Sequence, residues 1–152
     1  MIAKATAIQH GQAMTNYATK NNRADIVKTN HLSEGLPPMG MWDEMVLHQS
    51  MFKQRYAKKP IELTSIRFEI SPSEEEARNW SMEDWHRCLE EFIREIDAIS
   101  RVDHIGKRKG KTATSVRPTN IANSQYFAAI HRDSKSGIPH LHLVVNRLDM
   151  DG

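Results

Sequence analysis

Three histidines near the end of the sequence carry its clearest chemical signal. They lie in the run Tyr126-Phe127-Ala128-Ala129-Ile130-His131, a turn-like Ser134-Lys135-Ser136-Gly137, and then His140-Leu141-His142-Leu143-Val144-Val145-Asn146. Two apolar runs around a Gly-containing turn predict a β-hairpin. Side chains at i and i+2 of a strand share a face, so His140 and His142 point one way and Leu141, Leu143 and Val145 the other. His131 closes the first strand and can face the pair across the hairpin. Three imidazoles meeting on one sheet face would hold a divalent metal and leave coordination positions open, as catalysis requires.

Other polar residues gain meaning from the same parity. Asn146 is in phase with His140 and His142, which predicts that it faces the cleft and touches the substrate. Asp133 is in phase with His131. It either fixes the tautomer of a ligand ring by accepting its N–H, or simply starts the turn. Lys107, Arg108, Lys109 and Lys111 crowd a glycine-flanked segment with no apolar periodicity, within a stretch predicted to be a flexible basic loop at 104–118. Such a run is either a solvated face or, beside a metal site, a clamp for a phosphate backbone.

The elements that must position these residues follow from periodicity. A short strand is predicted from Ile2 to Ile8, ending near His10-Gly11, and a short helix from Gln12 to Lys20. The residues from Asn21 to Leu32 carry no assigned element, and Ser33 to Gly40, rich in Gly and Pro, reads as loop. A helix is predicted from Trp42 to Lys58, stopped by Pro60, then a strand from Ile61 to Ile70 ended by Ser71-Pro72-Ser73. Ser81 is a predicted N-cap, with Glu83 and Asp84 in the first turn. The helix after it carries Trp85, Cys88, Leu89, Phe92, Ile93, Ile96 and Ile99 on one stripe, a core face. His86 falls off that stripe. Strands ending in a hairpin and mixed with helices predict an α+β fold. Its antiparallel sheet would have helices packed on one face and the three-His metal site on the other.

Composition sets the outer limits. With 152 residues, 39% hydrophobic and 26% charged, the chain suits one globular domain with a true core. A formal net charge of +2 permits nucleic-acid binding without demanding it. The single Cys88 excludes an internal disulfide framework and fits a reducing cytoplasm. No transmembrane stretch or signal peptide is visible, so a membrane is not an expected partner.

Several segments together resemble the relaxase/mobilisation nuclease family of the HUH endonuclease superfamily. Ile130-His131-Arg132-Asp133 with Pro139-His140-Leu141-His142-Leu143-Val144-Val145-Asn146 is similar to its metal motif, two His around a hydrophobic residue. Ala13-Met14-Thr15-Asn16-Tyr17-Ala18 resembles its first motif, and Ile66-Arg67-Phe68-Glu69-Ile70-Ser71-Pro72 its middle strand. The resemblance implies a bacterial cytoplasmic enzyme of conjugative mobilisation that nicks one DNA strand at a transfer origin and stays attached through a 5′-phosphotyrosine. It implies Tyr17 as nucleophile and His131, His140 and His142 as metal ligands. It also implies single-stranded or supercoiled DNA as substrate, with accessory relaxosome proteins and a secretion coupling protein as partners. Glu69 would assist proton transfer from Tyr17, or else be a plain surface carboxylate. His10 is a second candidate nucleophile; Tyr126 is out of phase with His131 and Tyr56 closes a helix. Relaxase domains generally continue past the metal strand, so residues 1–152 are expected to be a truncated N-terminal relaxase domain.

The chemistry is consistent with that expectation. A phenol with a pKa near ~10 needs activation at neutral pH, and a metal supplies charge neutralisation to an anionic phosphodiester. Mn²⁺ or Mg²⁺ is the expected ion, with Zn²⁺, Ni²⁺ or Co²⁺ able to occupy three imidazoles. Rival classes remain. One is a non-catalytic DNA-binding module with a structural metal site. Another is a different HUH nuclease of replication-initiator or transposase type. A third is a metal-dependent hydrolase or oxygenase unrelated to DNA.

Overall fold

The computed structural model describes residues 1–8, 24–99, 119–132 and 135–152. Among them are five strands: β1 (Ile2–Ile8), β2 (Ala24–Asn30), β3 (Ser65–Ser71), β4 (Ser124–His131) and β5 (His140–Asp149). Three helices accompany them: α1 (Pro38–Met51), α2 (Glu74–Asn79) and α3 (Met82–Ala98). The strands form one antiparallel sheet in the order β1-β3-β5-β4-β2. The expected α+β class with an antiparallel sheet is therefore present. β5 lies in the middle with its sequence neighbour β4 beside it, and β1 and β2 form the edges.

β5 is central, so both its faces must be covered. Leu141, Leu143 and Val145 pack with Phe68, Ile70, Tyr126, Ala128 and Ile130 under Trp85, Cys88, Leu89 and Ile93 of α3. That is the stripe expected from the 3.6-residue spacing. α3 starts where the sequence places it. The Ser81 hydroxyl accepts from Asp84 N–H while the Asp84 carboxylate accepts from Ser81 N–H at 2.8 Å. His86 lies half-exposed beside Glu90, off the core stripe.

The opposite face is not bare. α1 lies on it, seating Met41, Trp42 and Met45 against Phe127 and Val144. The expectation of helices on a single face is corrected here. α1 is apolar on more than one side, so sequence periodicity does not single out the face it buries. Its bounds also differ from the expected Trp42–Lys58. Pro38 is accommodated in the first turn, where its missing N–H costs nothing. After Met51 the chain continues as i→i+3 turns, such as Lys53 N–H to Ser50 O at 3.2 Å.

Two elements were not expected. α2 is nucleated by a capping box, Ser73 with Glu76, whose S-x-x-E signal is present in the sequence but precedes only a short helix. β2 is an edge strand broken by an irregularity between Ile26 and Lys28, which destroys the period-2 pattern that would reveal it. The strand expected over 61–70 is Ser65–Ser71, and the predicted helix Gln12–Lys20 lies outside the described residues.

The loop before α1 is tied down by Glu44, whose carboxylate accepts from Ser33 Oγ at 2.6 Å and from Ser33 N–H at 2.9 Å. These bonds hold the Glu44 carboxyl below its ordinary range. A depressed carboxylate stabilises the fold above its unfolded pKa and stops doing so as pH falls through the folded one. Glu44→Gln should lower the melting temperature at pH 7, and the difference from wild type should shrink below about pH 4. Leu89→Ala, at a fully buried position under the sheet, should cost about 2–5 kcal/mol in a urea titration.

Candidate functional site

The three histidines meet on the sheet face that also carries α1. His131 at the end of β4 lies directly across from His140 on β5, and His142 lies across from Ala129 on β4 and from Glu69 on β3. Antiparallel partners share a face, which brings all three rings together. Ring centroids are 4.7 Å apart for His140–His142, 4.8 Å for His131–His142 and 5.7 Å for His131–His140. The hairpin that makes this possible turns through Gly137 at φ +67°, a left-handed conformation that Gly adopts without strain.

Burial divides the cluster. His131 is 2% exposed and His142 3%, while His140 is partly open to solvent. His140 Nδ1–H donates to Ile138 O at 3.3 Å. Burial, then the neighbouring His140 and His131, then Arg67, push the His142 pKa down to about 3. His142 is thus a neutral imidazole at physiological pH. Among the described residues, no group of three or more His, Cys, Asp or Glu is set to hold a metal ion. The rings are neighbours whose planes are tilted 35–50° to one another.

β3 supplies the charged part of this face. Ser65, Arg67 and Glu69 alternate with Ile66, Phe68 and Ile70, so the first three share the face of His142. Arg67 Nη2 pairs with Glu69 Oε1 at 2.8 Å, and Lys4 of β1 stands across from Glu69. Sequence reasoning named Glu69 but passed over Arg67. Its signal was its position two residues before Glu69 in the same strand, which became informative only once β3 was known to pair with β5.

Asn146 shares the face of His140 and His142, as strand parity predicts, but it does not line an open cleft. It is 2% exposed beneath α1. Its amide donates to Met45 O at 3.0 Å and Gln125 Oε1 at 3.1 Å, and its oxygen accepts from Gln49 Nε2 at 2.6 Å and Leu148 N–H at 3.2 Å. The expected contact of Asn146 with DNA is replaced by the attachment of α1 to β5. His48 adds to the same seam, its Nε2–H donating to Asp149 O at 2.8 Å.

Of the candidate nucleophiles, Tyr17 and His10 lie outside the described residues, as do Asp133 and Lys107, Arg108, Lys109 and Lys111 of the basic loop. Tyr126 packs in the α3-side core, away from the imidazoles. Tyr56 donates its hydroxyl to Gly152 O at 3.0 Å. Among the described residues no helix is long and apolar enough to cross a membrane. No family model, curated protein or solved structure matches the chain.

Removing the Asn146 amide strands buried partners on α1. Asn146→Ala should destabilise the protein by about 2–4 kcal/mol in chemical denaturation.

Proposed function

We propose that the chain is the nuclease domain of an HUH-type relaxase, which nicks one DNA strand by transesterification at a transfer origin. The observation that carries this reading is the cluster of three imidazoles, two of them on the central strand, with centroids 4.7–5.7 Å apart. Imidazole nitrogens bond a divalent ion at about 2.0–2.1 Å, which leaves the centroids of rings sharing one ion about 4.5–5.5 Å apart. Two of the three separations fall in that range and the third, His131–His140 at 5.7 Å, lies just outside it, and His142 is held neutral, as a ligand must be. The order of the Asn-Tyr, Ser-Pro and His segments along the chain adds the resemblance to relaxases.

In this reading His131, His140 and His142 hold Mn²⁺ or Mg²⁺, which when bound would neutralise charge on the scissile phosphate. The Tyr17 oxygen attacks phosphorus, the bond to the 3′ oxygen breaks, and the phenolic proton leaves with the freed 3′-hydroxyl. The 5′-phosphotyrosyl bond keeps the energy of the broken ester, so the strand can be rejoined without a nucleotide cofactor. Lys107, Arg108, Lys109 and Lys111 would follow the backbone of single-stranded or supercoiled DNA, and accessory relaxosome proteins would present the origin. Glu69, across from His142, would carry the phenolic proton from Tyr17 to the leaving 3′ oxygen.

A second reading has one observation in its favour. The near-complete burial of His131 and His142 also suits a closed structural metal site in a DNA-binding module without catalysis.

A nicking assay on supercoiled DNA carrying the element's own origin, run on a denaturing gel, separates the two. The relaxase reading expects a protein–DNA adduct that a chelator abolishes and Mn²⁺ restores. It also expects Tyr17→Phe to lower adduct formation by about 10⁴-fold or more. DNA binding with no cleavage in any divalent metal would support the module instead.

A further inference from the structure

Arg67 has no role in the reading above, yet it is the cation placed beside the imidazoles. On β3 it lies across from Val144, two positions along the ladder from the Glu69–His142 pair and so on the same face. Residues diagonal to one another across two strands are about 7–8 Å apart, well within the reach of an arginine. Only part of its guanidinium is in use. Nη2 meets Glu69 at 2.8 Å, while Nε is buried and has no hydrogen-bond partner. A planar fork with an unspent donor is the geometry that accepts two oxygens of a phosphate.

The ion pair also looks poorly designed for stability. Both side chains are about a third exposed, at 27% and 30%, and pairs so open to water contribute little to folding. Part of each side chain is open to water and so reachable, although Arg67 Nε itself is buried. Lys4, exposed and across from Glu69, puts a second positive charge on the same strip. The row across the sheet thus runs from Lys4 through Glu69 to His142, with Arg67 two residues along β3 from Glu69 on the same face. A carboxylate in that place holds the guanidinium where an incoming anion would meet it.

We propose that Arg67 binds a backbone phosphate of the DNA strand next to the histidine cluster, and that Glu69 occupies the same guanidinium when DNA is absent. This rests on the relaxase reading and names a phosphate contact within that site. Arg67 is a positioning residue: it fixes the register of the strand relative to the imidazoles without entering the reaction.

The test measures binding of a fluorescent single-stranded origin oligonucleotide by anisotropy, in chelator, across a salt series. Arg67→Gln should weaken binding about tenfold at low salt and reduce the slope of log affinity against log salt by about 0.7. Glu69→Gln should act in the opposite direction and tighten binding severalfold. Arg67→Lys should keep the salt slope and lose part of the affinity, since it retains the charge without the fork. Arg67→Lys carries the test alone if Arg67→Gln lowers the melting temperature sharply.

Two results overturn the proposal: wild-type affinity in both Arg67 variants, or equal weakening by Arg67→Gln and Glu69→Gln, the mark of a merely structural pair. Inorganic phosphate is titrated separately. If it protects the wild type but not Arg67→Gln from melting while oligonucleotide binding is unchanged by the substitution, the site takes free phosphate and the DNA assignment fails. A wild type that nicks the origin while Arg67→Gln binds and nicks equally well sinks this inference alone. A wild type that neither binds nor cuts DNA in any metal sinks the relaxase reading, and this inference with it.

Discussion

The pairing of β5 between β3 and β4 is the constraint from which the rest of the structure follows. A central strand has a ladder on each side, so most of its backbone groups are paired there and both rows of side chains face other elements. One row is the apolar floor of the α3 core. The other, His140, His142, Val144 and Asn146, is polar at three of four positions and still mostly buried. Burying polar groups is costly unless each finds a partner. β5 meets that demand differently at its two ends.

At the Asn146 end the partners come from α1. The carboxamide joins Met45, Gln125, Gln49 and Leu148 in one network, and His48 reaches Asp149 beside it. Because α1 is apolar on more than one side, its own sequence specifies poorly which side should face the sheet. The directional bonds to Asn146 and His48 supply that specification, while Trp42 and Met45 supply the burial. Among the described residues, covering this half of the face leaves His140 as the partly open polar residue of the row.

At that end the neighbours are other imidazoles and the charged pair on β3. Neutral rings tolerate burial far better than charged ones, and a cation nearby reinforces the neutral state. The proposed metal site and the proposed phosphate contact draw on the same arrangement. Imidazole nitrogens gather on β4 and β5, and a guanidinium stands beside them on β3 with its carboxylate.

Much of this was legible before any coordinates. The alternation in His140-Leu141-His142-Leu143 assigns opposite faces because side chains on a strand have period two, and that holds whatever the strand's neighbours are. The α3 stripe and its Ser81 cap are equally local, set by helical spacing and by backbone N–H groups that need an acceptor. The edge strand β2 was not legible, because its irregularity breaks the alternation, and α2 was too short to show periodicity. What only the tertiary structure decided was which strand lies beside which. Register put Glu69 across from His142 and Arg67 beside it, and packing put α1 over Asn146. Those are contacts between residues about 70 to 100 positions apart in the chain, and nothing in local propensity encodes them.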